Sequence, residues 1–193
     1  KIAEKLRPGT GIIALAAFAF SPLVIIESLV SSHNDIVMMF FAVLAFFLLI
    51  DKKQILSFVT LFVSIGIKFA TALLLPIFTF IFLLQTIKKK IDWEKFFFLT
   101  SIIMVFAAVA ASFRTNFQPW YLLYALPIAA LIAKKHYIFI PSIIISFFTL
   151  FQYVPFLYLG NWNPPVPTVL FWIMASSIIA SFVITLAWFL KIK

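Results

Sequence analysis

Long apolar runs alternate along the chain with short clusters of basic residues. The clusters are Lys1, Lys5 and Arg7; Lys52 and Lys53; Lys88, Lys89, Lys90 and Lys95; Lys134 and Lys135; and Lys191 with Lys193. Between them lie four apolar intervals, 9–50, 55–87, 96–133 and 137–190. Lysine and arginine collect in loops that stay in the cytoplasm. With every cluster on that side, each interval crosses the membrane an even number of times, and each fits one helical hairpin. The pattern therefore predicts an all-α fold: a polytopic membrane helical bundle with about eight crossings, arranged as four hairpins with cytoplasmic ends. Residues 1–193 then form a single transmembrane domain. The short alternating segments of an outer-membrane barrel are absent.

The same pattern places the outer turns at 27–35, 66–68, 112–120 and 160–167. Proline is tolerated in a first helical turn because its missing N–H would be unpaired there anyway, so Pro119 and Pro167 open the returning helices. Pro22, Pro76 and Pro127 lie deeper in apolar runs and are expected to kink or break them. The second interval is short. Its two arms have about 16 residues each, about 24 Å of helix against a hydrocarbon core of roughly 30 Å. Lys68, at its turn, is expected to sit below the outer surface, facing protein, water or an anion rather than lipid.

Composition agrees and narrows the class. The chain is 65% hydrophobic and 11% charged, with mean hydropathy +1.17, which excludes a soluble domain of 193 residues. The net charge of +9 follows from the loop lysines, so it is read as topology and not as nucleic-acid binding. With no cysteine there is neither disulfide nor thiolate metal site. The chain begins at Lys1 without a signal pattern, and is expected to be a C-terminal portion of a longer protein.

Thirteen of the fifteen basic residues are explained by topology; Lys68 and Arg114 are not. They fall on the predicted outer side with Glu27, His33 and Asp35. Charge in or beside lipid is costly, and these five are the candidates for chemistry. In Ser32-His33-Asn34-Asp35, Asn34 or Asp35 can cap the helix that follows. Capping leaves His33 unexplained, and the cluster also suits a hydroxylated or phosphorylated group. His33 and Asp35 form a His-x-Asp pair, two metal ligands without partners, so a divalent cation stays open and no metal residue is assigned. Glu27 is either an interfacial carboxylate in water or a group that orients an acceptor hydroxyl or pairs with Lys68 or Arg114. Lys68 and Arg114 either neutralise Glu27 and Asp35 or hold a phosphate, for which an arginine fork and a compact ammonium are suited. Trp120, Tyr121, Tyr124 and Trp162 read first as interfacial aromatics. Beside Gln118 and Arg114, such rings can also stack on a sugar. His136 reads as a cytoplasmic loop residue.

Four features occur in order: Ser21-Pro22-Leu23 with Glu27; His33-Asn34-Asp35 with Met38; Gly66-Ile67-Lys68 before Leu73-Leu74-Leu75-Pro76; and Arg114 with Phe117-Gln118-Pro119-Trp120-Tyr121. In this order the chain resembles the later part of the multi-spanning C-type glycosyltransferases, mannosyltransferase-like members above all, over about residues 14–131. The resemblance implies a sugar transferred from a polyprenyl-phosphate donor to a glycan or lipid acceptor hydroxyl, at the extracytoplasmic face of the cell membrane. It implies that Asp35 supports catalysis and that Glu27, His33, Asn34, Lys68, Arg114, Gln118, Trp120 and Tyr121 bind substrate. Lys68 and Arg114 take the phosphate, and Gln118 and Trp120 line the sugar site. It also implies that the catalytic acidic residue lies in an outer loop upstream of Lys1. The rival readings are a secondary transporter or flippase of a lipid-linked sugar, which would carry midplane charges and an internal repeat, and a non-catalytic membrane scaffold.

Overall fold

A computed structural model describes residues 1–115 and 117–191. It is 82% helical with no strand among the described residues. Asn116, in the predicted third outer turn, and Lys193, in the last basic cluster, lie outside the described residues.

The helices follow the predicted order. Helix α1 (Ile2–Leu6) leads to α2 (Gly11–Ala19) and α3 (Pro22–Ile25), which runs on as a π-helical turn, Ile26–Val30. Next come α4 (Asp35–Ile50) and α5 (Gln54–Ile67), then a 3-10 turn, Phe69–Leu74, continuing as α6 (Leu75–Thr86). Helix α7 (Trp93–Thr115) is followed by a second 3-10 turn, Pro119–Tyr124, and the short α8 (Leu126–Leu131). The chain closes with α9 (His136–Thr149), α10 (Tyr153–Leu159) and α11 (Val166–Lys191).

The number of crossings is corrected. Four helical stretches are long and apolar enough to span a membrane: Phe69–Thr86, Trp93–Arg114, His136–Leu159 and Val166–Lys191. The pair Gly11–Ala19 and Pro22–Val30 adds a fifth only as a span bent by 60°. Of the other three expected arms, α4 and α5 have 16 and 14 residues, and the arm after Pro119 is a 3-10 turn plus six α-helical residues. At about 1.5 Å per residue, α4 and α5 are roughly 21–24 Å long, short of a hydrocarbon core of about 30 Å. The all-helical fold holds, but eight full crossings do not.

The prolines explain the breaks. Pro22 opens α3 after the bend, Pro119 opens its 3-10 turn, and Pro76 and Pro127 lie in the first turns of α6 and α8. None of these positions needs a backbone donor, so the helix restarts there at little cost.

Polar contacts between helices hold the bundle where apolar burial alone would not. The Ser57 hydroxyl donates to the Ala45 carbonyl at 2.8 Å and the Ser64 hydroxyl to the Met38 carbonyl at 2.8 Å, tying α5 to α4. Ala42 and Ala45 are fully buried between them and let the backbones approach. Beneath this hairpin, Phe46, Phe78 and Phe97 from α4, α6 and α7 pack with centroids 4.4 and 5.2 Å apart. His136 is not a loop residue: it opens α9, with its ring 4.5 Å from that of Trp188 on α11.

Candidate functional site

Four of the five charged candidates meet in two groups, Glu27 with His33 and Asp35 with Lys68. Glu27 lies in the π-helical turn, where Ser31 N–H reaches the Ile26 carbonyl at 2.8 Å. Such turns recur at functional sites because the inserted residue re-aims a side chain. Its carboxylate is fully buried, which overturns the reading of Glu27 as an interfacial group in water. One oxygen accepts a hydrogen bond from the Tyr153 hydroxyl at 2.7 Å, and the other lies 3.5 Å from His33 Nε2. Glu27 therefore meets neither Lys68 nor Arg114. The His33 ring stacks on Trp120, with centroids 4.0 Å apart and planes at 20°. The preceding residue, Ser32, holds φ at 51°, a left-handed conformation that turns the chain sharply into His33.

The second group is Asp35 with Lys68. Asp35 is the first residue of α4 and fully buried, and its Oδ1 accepts from the Lys68 ammonium at 2.7 Å. A carboxylate in the first turn also gains from the helix dipole. Lys68 stands in the extended linker after α5, one-third exposed, with its ammonium 5.8 and 5.7 Å from the ring centres of Tyr121 and Tyr124. That distance suits a cation–π contact. Trp120 and Tyr121, with centroids 5.9 Å apart, join the two groups.

Two candidates are not brought in. Asn34 precedes α4 but caps it with no side-chain bond, because φ −68° and ψ −7° place it in helical rather than extended backbone, and its side chain is exposed. Arg114, in the last turn of α7, is exposed and forms no ion pair among the described residues. Gln118 is half-buried at the start of the turn that carries Trp120.

Tyr153 is the residue that sequence reasoning missed. The run Thr149-x-x-Gln152-Tyr153 was its signal, since Thr149 and Gln152 are buried polar groups in an apolar stretch. Four buried oxygens, of Glu27, Ser28, Asp35 and Thr149, have no hydrogen-bond partner among the described residues. A buried polar atom without a partner costs free energy. No three His, Asp or Glu side chains among the described residues converge to hold a metal.

The fold and its exposed apolar surface define a polytopic helical membrane protein with a buried ionic and aromatic cluster at one end. Residues 1–84 match the family model described as alpha-(1->6)-mannopyranosyltransferase, N-terminal domain. That stretch contains Glu27, His33, Asp35 and Lys68 but neither Trp120 nor Tyr153. The matched stretch is 84 of the 193 residues, less than half of the chain, and the likeness to that family is confined to it. No curated protein and no solved structure matches the chain.

Proposed function

We propose that the chain is part of a C-type mannosyltransferase that moves a sugar from a polyprenyl-phosphate donor to an acceptor hydroxyl at the extracytoplasmic face of the cell membrane. The observation that carries this reading is the pairing of Glu27 with His33 and of Asp35 with Lys68, all inside the matched stretch, in two groups joined by Trp120 and Tyr121. A bundle that only needed to lie in lipid would not retain two fully buried carboxylates there.

In the reaction, the acceptor oxygen bonds to the anomeric carbon as the bond from that carbon to the phosphate oxygen breaks. The acceptor proton passes to a carboxylate, and cations stabilise the charge gathering on the departing phosphate. Lys68 and the exposed Arg114 are assigned to the phosphate, with Trp120, Tyr121 and Gln118 against the sugar. Glu27, His33 and Asn34 complete the substrate surface. Glu27 and Asp35 are already engaged by Tyr153 and Lys68, so Asp35 is given a supporting role, and the base is assigned to an acidic residue upstream of Lys1. A largely apolar cavity of about 600 Å³ runs along α4 from Ile36 to Phe47, with α1, α2 and α8 and Lys1 as its other walls, and offers room for a polyprenyl tail.

The test is transfer of radiolabelled mannose from polyprenyl-phosphate mannose by the full-length protein in membranes. Arg114→Ala, at an exposed position, is expected to leave the fold intact and to lower transfer at least tenfold, about 1.4 kcal/mol of transition-state stabilisation. Asp35→Ala is expected to lower it further. Undiminished transfer in both variants overturns the site assignment.

A further inference from the structure

At the opposite end of α4 and α6, the fold leaves positive charge without a counter-charge. The carboxylates there are already taken. Asp51 pairs with Lys5, Glu94 with Arg7 and with Lys135 at 3.3 Å, and Asp92 with Lys95 at 3.4 Å. Glu4 accepts the backbone N–H groups of Gly9 and Gly11. Lys52, Lys88 and Lys89 form no ion pair among the described residues, yet the three line one cavity of about 510 Å³ with Gln85 and Trp93.

The backbone places two of these lysines at equivalent helix ends. Helices α4 and α6 end alike. Lys53 N–H donates to the Leu48 carbonyl at 2.9 Å and Lys52 N–H to Leu49 at 3.1 Å; Lys89 N–H donates to Leu84 at 2.9 Å and Lys88 N–H to Gln85 at 3.1 Å. This is the Schellman arrangement, whose left-handed residue is usually glycine because a Cβ is strained there. Here that residue is Lys52, at φ 59°, and Lys88, at φ 55°. Attraction to the helix dipole explains a lysine anywhere in a last turn. It does not explain a lysine at the one strained position of both helices, facing one cavity. The Gln85 side chain donates to the Leu49 carbonyl at 2.7 Å and so fixes the spacing of the two turns.

The charge can be counted. Two helix C-termini contribute roughly −0.5 each, against three ammonium groups, which leaves the cavity cationic by about two. Its walls are the ends of apolar helices, and Trp93 is an aromatic of the kind found at membrane–water boundaries. We propose that this cavity binds the headgroup of a dianionic phospholipid, whose two phosphates are held by Lys52, Lys88 and Lys89.

The experiment is native mass spectrometry of the chain released from phosphatidylcholine nanodiscs that contain cardiolipin. Replacing both left-handed lysines, Lys52→Gly with Lys88→Gly, is expected to cut retained cardiolipin by about fivefold for each lysine removed. Because glycine relieves the backbone, thermal unfolding in cardiolipin-free nanodiscs should be unchanged or raised, which separates lost binding from lost folding. Lys134→Ala, an exposed lysine outside the cavity, should change retention less than about twofold. Equal retention in the glycine variant and the parent, or an equal loss in Lys134→Ala, overturns the proposal. So does soluble pyrophosphate binding the detergent-solubilised chain with the same dependence on Lys52 and Lys88, which would reassign the cavity to a free phosphate.

Discussion

Asp35 and Asp51 stand at the two ends of α4, and each meets a lysine, but on different terms. Asp35 is fully buried and holds a lysine that is one-third exposed, whereas Asp51 and Lys5 keep 25% and 43% of their side chains open to solvent. The first pair has given up water and depends on its partner, so removing either side leaves a charge with nothing to replace hydration. The second keeps its water and loses little when broken. The same contrast runs across the molecule. At one end a few charges from separate segments are buried among Trp120, Tyr121, Tyr124 and Tyr153; at the other, many lysines lie in short turns. Buried, convergent charge points to chemistry, and exposed, serial charge points to topology and lipid.

The largest expected effect breaks the comparison directly. Asp35→Ala should destabilise the chain by about 3 kcal/mol, near the low end for a broken buried pair because Lys68 keeps some solvent. Adding Lys68→Met should restore part of that loss, since an apolar pair carries no stranded charge. The same double-mutant cycle at Lys5 and Asp51 should give a coupling of no more than about 1 kcal/mol. Equilibrium unfolding in detergent measures both cycles, and equal couplings would remove the distinction between the two ends.

Much of this contrast is legible in sequence, for a simple reason. Basic clusters and prolines mark where helices begin and end, so the order of the helices follows from residue type. Arm length does not. Between 96 and 133, the run reads as two even arms, yet Pro119 and Pro127 both interrupt the second, and only packing decides whether a restart continues as 3-10 or α-helix. Glu27, His33, Asp35 and Lys68 stand out because a charge on the wrong side of a topology needs a reason. Tyr153 does not, because a tyrosine in an apolar run reads as an interface anchor and its partner is 126 residues away. Asn34 misleads in the other direction: its residue type suits a cap, and its backbone does not.

A middle-sized effect sharpens the role of that missed residue. Tyr153→Phe keeps the ring and removes the hydroxyl that donates to the buried Glu27 carboxylate. A hydrogen bond to a charged group contributes about 1.5–3 kcal/mol, so unfolding should shift by about 2 kcal/mol. Tyr158→Phe, at an exposed tyrosine on the same helix, should shift it by less than about 0.5 kcal/mol. Equal shifts in the two variants would mean that the hydroxyl of Tyr153 is not what satisfies Glu27.

The smallest effect belongs to the solvated end and is read by pH. Glu4 accepts the backbone N–H groups of Gly9 at 2.8 Å and Gly11 at 2.9 Å, and these donors hold its carboxyl below the usual value of 4.5. A carboxyl lowered in the folded state contributes its full stabilisation above the unfolded value and loses it as pH falls through the folded one. Glu4 therefore secures the start of α2 at neutral pH and releases it only on acidification below about 4.5. Amide exchange at Gly9 and Gly11, corrected for the intrinsic pH dependence, should lose protection as pH drops through that range. Glu4→Gln should show weaker protection at neutral pH and lose the acid dependence. Thr10 also ties this turn, donating to the Ala3 carbonyl at 2.7 Å and the Arg7 carbonyl at 2.8 Å. If protection in Glu4→Gln equals that of the parent at every pH, Thr10 holds the turn and the carboxylate is incidental.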